Sequence, residues 1–231
     1  MRVFIIIAFF LLIGFMHSNA QSDVIRDNEI WMGIQLDKDI SKKWSTAFTV
    51  NLRRDNDFGQ YKQTYYQLGL EREISKNISA LLGYRFVAKS EEKNNNNRLY
   101  TDWSFEKKLK PFAVDLRIRL QYDSETPKLF ENGELLLREK IGFEYKKKKK
   151  SKLIPYAGTE FFLDLLNEWD LDKYRLYVGI KYELFKNQKI NAKYVFQEAN
   201  NKESDQTNIF SIEYSTKIGK KKKKKDATKV D

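Results

Sequence analysis

The 231-residue chain contains no cysteine, and this absence excludes several arrangements. A disulfide framework and a lipid-modified N-terminal cysteine both require a thiol, as does a cysteine nucleophile. The chain therefore has to be stabilised, anchored and made functional by other side chains.

Histidine is nearly absent too. The one histidine, His17, lies in a segment that we expect to be removed. Serine–histidine lipases, related deacylases and histidine-ligated zinc sites are thereby excluded from the mature chain. Carboxylate chemistry at Glu71, Glu73 or Glu160 is left, but nothing in their spacing singles out a catalytic pair. We expect no enzyme, no metal and no cofactor.

The first twenty residues have the pattern of a cleavable secretory signal peptide. A basic start at Met1-Arg2 precedes an apolar run over residues 3–16, and small residues follow at Ser18 and Ala20. The alternative, a membrane anchor, needs about 18 to 20 apolar residues and does not explain the small-residue site. We predict residues 1–20 as the signal peptide, with the mature chain beginning at Gln21.

Beyond Ala20 no apolar run is long enough for a membrane-spanning helix, but apolar residues recur at every second position. In residues 113–123, for example, Val114, Leu116 and Ile118 alternate with Arg117 and Arg119, as in a strand with one apolar and one polar face. Eleven segments of about 10 to 14 residues follow this pattern, a length suited to tilted membrane strands. The predicted segments are residues 29–40, 44–54, 64–74, 78–89, 98–109, 112–123, 134–145, 153–165, 174–185, 190–198 and 207–218.

The connections alternate in length. One set is short and basic, and the other is longer and carries the acidic groups. Outer-membrane barrels have short periplasmic turns and longer external loops, so this asymmetry favours such a barrel.

The sizes of the side chains on the two faces separate a membrane barrel from a soluble barrel or sandwich. Glycine, alanine and serine recur on the polar face, where small residues relieve crowding inside a barrel. Bulky residues cover the apolar face, with aromatic residues near the strand ends, as in the aromatic girdles of membrane barrels. We predict an all-β, antiparallel transmembrane β-barrel over residues 21–218, with about ten to twelve strands. Because a closed antiparallel barrel needs an even number, the count of eleven suggests one strand missed or one too many.

Charged residues of both signs share the polar face and are predicted to point into the lumen. Most of them should pair across the interior, because an unpaired ion away from bulk water is costly. We therefore favour a structural network of salt bridges over a catalytic or conducting site. The predicted network consists of Glu71, Glu73, Arg85, Arg98, Asp102, Asp115, Arg117, Arg119, Arg138, Glu160, Arg175 and Glu183.

The formal net charge of +11 raises the question of nucleic-acid binding, but the positions of the lysines argue against it. The run over residues 146–150 joins two strands, and residues 219–231 form a lysine-rich tail after the last strand. Both lie at the short-turn end. We expect this end to attract anionic lipid headgroups or an acidic periplasmic partner, with simple solvation of the turns as the alternative.

The segment "EIWMGIQLDKDISKKWSTAFTVNLRRD" combines a tryptophan-bearing strand, a Lys-Lys-Trp turn and a strand that ends in arginine. With the later "RIRLQYD", "GTEFFLDL" and "KYRLYVGIKYEL", it resembles the bacterial family known as domain of unknown function 2490. The resemblance spans most of the mature chain and implies an outer-membrane location, but it supplies no activity or catalytic residue. The lysine-rich tail departs from the aromatic C-terminus of many outer-membrane barrels.

Together these features predict a barrel in the outer membrane of a diderm bacterium, in contact with its lipids. A structural role or a small-solute channel with a charged lumen is the expected function. The alternatives are an accessory protein of an envelope export system, a histidine-free outer-membrane enzyme and a soluble periplasmic β-barrel. The oligomeric state is left open.

Overall fold

The computed structural model describes residues 26–90, 94–126, 133–146, 151–167, 169–200 and 205–219, and these form one closed β-barrel. The described residues include no helix that is long and apolar enough to cross a membrane. The strands are β1 (Arg26–Asp39), β2 (Trp44–Asp55), β3 (Gln60–Glu73), β4 (Ile78–Lys89), β5 (Asn96–Leu109), β6 (Phe112–Glu125), β7 (Glu134–Tyr145), β8 (Leu153–Asp164), β9 (Asp170–Phe185), β10 (Gln188–Ala199) and β11 (Gln206–Ile218).

Each strand pairs with its neighbour in sequence in the antiparallel sense, and the barrel is closed by a parallel pair between β1 and β11. This pair runs in register from Arg26 opposite Gln206 to Lys38 opposite Ile218. The predicted all-β barrel of about ten to twelve strands is confirmed. The expectation that eleven strands require a correction was wrong, because the first and last strands of an odd-numbered meander point the same way and close as a parallel pair.

The strand bounds lie close to the predicted ones, with two larger differences. β3 begins at Gln60 rather than at residue 64, and β9 begins at Asp170 rather than at residue 174. In both places the ladder continues past a shift of register, between Arg53 and Arg54 in β2 and between Phe162 and Leu163 in β8. A strand prediction that requires strict alternation of apolar and polar residues ends at such a β-bulge. The loops before β3 and β9 are therefore shorter than predicted.

The outer face of the barrel is predominantly apolar. Large apolar side chains project from it along the middle of the strands, and Leu68 is 56% exposed and Val178 56% exposed. Aromatic side chains lie toward the two ends, where Phe112 packs on Tyr145 at one end and Phe58 on Phe210 at the other. This distribution matches the apolar band and aromatic girdles of a membrane barrel.

The inner face is crowded, and glycine makes that crowding tolerable. A Cβ atom on Gly83 would lie 2.1 Å from the Tyr100 ring, and one on Gly158 would lie 2.2 Å from the Tyr177 hydroxyl. Any larger residue at either position would displace an aromatic side chain that fills the lumen.

Three predicted features lie outside the described residues. These are the signal peptide over residues 1–20, the lysines of residues 147–150, and the tail beyond Gly219.

Candidate functional site in the barrel lumen

Arginine side chains stacked on aromatic rings cross the middle of the lumen. Alternation directs both residue types inward from neighbouring strands, so that a guanidinium meets the face of a ring. We call this set the central layer. Its closest stacks, measured from guanidinium carbon to ring centroid, are Arg53 on Trp31 at 3.8 Å, Arg85 on Tyr65 at 3.9 Å, Arg119 on Tyr100 at 3.9 Å and Arg138 on Phe162 at 4.2 Å.

Buried carboxylates hold part of the central layer in place. Arg119 donates two hydrogen bonds to Asp102, of 2.6 and 2.7 Å, in a bidentate pair between adjacent strands. Glu160 accepts hydrogen bonds from Arg117 at 2.5 Å and Arg138 at 2.8 Å, and Arg175 lies 3.7 Å away. One carboxylate therefore serves three guanidinium groups from three different strands.

Further ion pairs continue toward both ends of the barrel. Toward the longer loops, Arg98 forms a bidentate pair with Asp123 at 2.5 to 2.6 Å. Toward the short turns, Glu144 accepts hydrogen bonds from Lys181 and Lys146. These pairs connect neighbouring parts of the wall and stabilise the lining of the lumen.

The central layer fills the lumen rather than lining a wide pore. Gln121 is 1% exposed and Tyr100 2% exposed. On the opposite wall an apolar cluster of Trp31, Tyr177, Val195 and Ile209 is also buried. A barrel only slightly larger than eight strands encloses little more than its own side chains, and here arginines and aromatic rings occupy that space.

A cavity of about 700 Å³ lies at the short-turn end, beneath the central layer. We call it the vestibule. Its wall carries carboxylates, serines and lysines in nearly equal numbers. Its lining side chains include Glu71, Glu73, Ser104, Glu106, Asp115, Lys42, Lys43 and Lys217.

The structure places the twelve sequence-predicted lumenal residues in different parts of the barrel. Asp102, Arg117, Arg119, Arg138, Glu160 and Arg175 come together in the ion-pair clusters of the central layer, where Arg85 stacks on Tyr65. Arg98 pairs with Asp123 nearer the loops. Glu71, Glu73 and Asp115 line the vestibule, and Glu183 is exposed at the end of β9.

Several lumenal residues were missing from the sequence-based set. Arg53, Lys140 and Lys193 also point inward, as do the aromatic rings of Trp31 and Phe162. Position parity could have found them, since Lys140 is two residues from Arg138 and Trp31 is two residues from Gly33. Aromatic residues were assigned to the outer face from the sequence, so the aromatic rings that lie in the central layer were not identified.

Among the described residues no group of histidine, cysteine, aspartate and glutamate side chains is arranged to hold a metal ion. What the described lumen does offer is hydrogen-bond donors with fixed positive charge.

Comparison with known proteins gives three findings. No curated protein matches the chain significantly. A solved structure described as "NanC porin structure in rhombohedral crystal form" aligns with a TM-score of 0.48 and 10% identity, covering 77% of this chain and 90% of that one.

The model of one protein family matches residues 28–208, which include strand residues from β1 through β11. This confirms the resemblance seen in the sequence. The chain belongs to the family described as "Protein of unknown function (DUF2490)".

Proposed function

We propose that the protein is a non-enzymatic barrel of the outer membrane of a diderm bacterium, with a lumen closed at its centre. The observation that carries the proposal is the combination of an apolar outer face with a charged inner face that is tightly packed at its centre. Its role in this proposal is structural, as a fixed element of the envelope rather than an open diffusion pore.

The outer face supports the membrane location. Soluble proteins rarely expose contiguous apolar patches beyond a few hundred Å². Here the exposed apolar side chains recur on every strand and encircle the barrel, as Leu36, Leu68, Leu82, Leu120 and Ile180 illustrate. Hydrocarbon is the solvent that such a surface requires, and a closed barrel leaves no backbone group unpaired within it.

The lumen supports a closed state. An aqueous pore would leave the charged residues of its wall accessible, but Asp102, Arg119, Arg138 and Glu160 are all buried. Arg119 pairs with Asp102 and Arg138 with Glu160, so these charges are held by each other rather than by a column of water. A solute could pass only if the central layer rearranged.

The basic short-turn end supports a contact with anionic headgroups or an acidic periplasmic partner. Its described turns carry several exposed lysines, and each lysine near an anionic surface contributes about 1 kcal/mol. These include Lys42, Lys43, Lys76, Lys110, Lys186 and Lys189. In this orientation the chain reaches the periplasm through its predicted signal peptide and inserts with the short turns inside.

A small-solute channel is the second candidate, and the vestibule favours it. The vestibule gives a solute access to the underside of the central layer, where the Arg117 side chain is 25% exposed. A path for a solute from the vestibule through the lumen would then require only a movement of the central layer.

Planar-bilayer recording of the refolded full-length chain tests the proposal. We expect no discrete conductance steps from the wild type. The Trp31→Ala variant should conduct, because it removes the ring on which Arg53 stacks and opens the layer. Protease resistance of the same protein in vesicles controls for insertion. Discrete steps from the inserted wild type would contradict a closed lumen and support the channel.

A further inference from the structure

We propose that the lumen contains a binding site for a small oxyanion, a solute with a carboxylate or phosphate group, on the inner faces of β6 and β7. The site is formed by Arg117 and Lys140, with Arg138 behind them. The proposal goes beyond the structural role proposed above. It concerns the folded lumen itself, so it does not depend on whether the barrel conducts.

The first observation is an unfavourable arrangement of like charges. Arg117 lies directly opposite Lys140, and Arg119 lies directly opposite Arg138, in the register of β6 and β7. Directly opposed residues have Cβ atoms about 4.5 to 5.5 Å apart, and like charges at that spacing destabilise a sheet. Four cations in a two-by-two block are costly to fold unless something anionic offsets them.

The second observation is that the available carboxylates do not offset all of them. Asp102 is engaged by Arg119, and Glu160 is shared among Arg117, Arg138 and Arg175. In the described part of the chain, no carboxylate lies within ion-pair distance of Lys140. Its ammonium group lies instead 4.9 Å from the centroid of the Tyr177 ring.

Asp115, two residues before Arg117 on β6, does not fill this role. Its carboxylate lies against Gly142, and no described cation is within ion-pair distance of it. The positive charge of the block is therefore only partly compensated by the protein.

The third observation is a set of unused donors. The Nε atoms of Arg117 and Arg138 are buried and hydrogen-bond to no described residue. Buried polar atoms are nearly always satisfied, so an unsatisfied one calls for an explanation. With the Lys140 ammonium group they supply N–H donors of the kind that bind oxyanions through charge-assisted hydrogen bonds.

The site also has an access route. Ser104, which is opposite Arg117 in the register of β5 and β6, lines the vestibule, and so does Asp115. The wall of the vestibule carries mixed charge, since Lys42 and Lys217 lie among its carboxylates. A small anion can therefore reach the exposed part of Arg117 from the short-turn end.

Isothermal titration calorimetry on the refolded full-length barrel, in micelles of a phosphate-free detergent, tests the site. Inorganic phosphate and citrate are titrated separately in about 0.15 M chloride, which screens non-specific attraction. We expect saturable binding of at least one of them. Phosphate alone would identify a phosphate-type ligand, and citrate alone a carboxylate-type ligand.

Lys140→Gln is the most informative variant, because the lysine side chain forms no ion pair or hydrogen bond with a described residue and its loss should leave the other ion pairs intact. We expect about tenfold weaker binding, the effect of one lost charge-assisted hydrogen bond. Arg117→Gln should weaken binding similarly. Lys107→Gln, which removes the same charge from the outer face, should bind like the wild type.

Strand content by circular dichroism and the heat-dependent gel shift verify that each variant is folded. If Arg117→Gln fails this check, Lys140→Gln and the charge-retaining Lys140→Arg, which should bind normally, decide the matter. Absence of binding by the wild type, or unchanged affinity in folded Lys140→Gln, would overturn the proposal. Because the titration is done in micelles, neither result depends on the outcome of the bilayer recordings.

Discussion

Arg119 and Asp102 form a buried ion pair, and removing one partner should cost more than breaking an exposed pair, because the other charge is left buried. We expect Asp102→Asn to lower the free energy of unfolding by about 3 to 5 kcal/mol, since it leaves the Arg119 guanidinium buried without its counter-charge. Urea unfolding of the barrel in lipid vesicles measures this.

Glu106 provides the matched control for Asp102. Its pair with Lys108 has an N–O distance of 3.3 Å, and the two side chains are 48% and 72% exposed. Exposed pairs contribute at most about 1 kcal/mol, so Glu106→Gln should unfold almost like the wild type. Equal effects of the two substitutions would show that water reaches Asp102 in the lumen as readily as it reaches Glu106 at the end of the barrel.

Individual residues also show what the sequence can and cannot predict. Alternation is sufficient to predict which face of a strand a side chain occupies, because the period of two is a property of the backbone. It does not predict partners. Glu160 is in register with Lys140 and Arg175, but its short hydrogen bonds come from Arg117 on β6 and Arg138 on β7. Strand tilt and stagger select those partners, and both are set by closure of the whole barrel.

At the scale of the strand, the parallel pair of β1 and β11 is the feature that alternation could not supply. The segments themselves were predicted within a few residues, since turn residues and apolar periodicity are local signals. Closure depends on the direction of two strands far apart in sequence. The even number of strands expected for an antiparallel barrel argued against a parallel pair of first and last strands.

Cross-linking tests the parallel closure directly, because the chain has no cysteine of its own. Cysteines at Lys38 and Ile218, which are register partners, should be joined by a short bifunctional thiol reagent. The pair of Lys38 and Gln206 should not react, since these residues lie at opposite ends of the seam, about 40 Å apart at about 3.3 Å per residue. Efficient cross-linking of Lys38 to Gln206 instead would mean that the two strands are antiparallel.

A substitution in β3 tests whether the outer face of the barrel is in contact with lipid or with water. Leu68 lies at the middle of β3, with its side chain pointing outward. We expect Leu68→Arg to destabilise the barrel in lipid vesicles by about 2 to 4 kcal/mol, the cost of a cation near the bilayer midplane.

Leu68→Phe keeps the position apolar and should change the unfolding free energy little. In a soluble barrel an arginine at this exposed position would be tolerated. If Leu68→Arg is as stable as Leu68→Phe, the outer face is in water and the membrane location is wrong.

At the scale of the whole molecule, the two ends of the barrel differ in the length of their connections. At one end the connections at residues 40–43, 74–77, 110–111 and 186–187 are short, with residues 146–152 as the longer exception, whereas at the other end residues 90–95, 126–133, 165–169 and 200–205 are longer and only residues 56–59 are short. Short turns lie in the periplasm in outer-membrane barrels, and the exposed lysines of that end would lie near anionic headgroups there. On both arguments we expect the short turns to lie inside the cell envelope.

Cysteine labelling in intact cells tests the central claim, an inserted outer-membrane barrel, most directly. Single cysteines replace Asn95, in a connection of the longer-loop end, and Ser151, in a connection of the short-turn end. A membrane-impermeant thiol reagent should label the first and miss the second, while both should react after the cells are lysed in detergent. Labelling of both positions in intact cells, or of neither, would contradict the account, and labelling of Ser151→Cys alone would invert the barrel in the membrane.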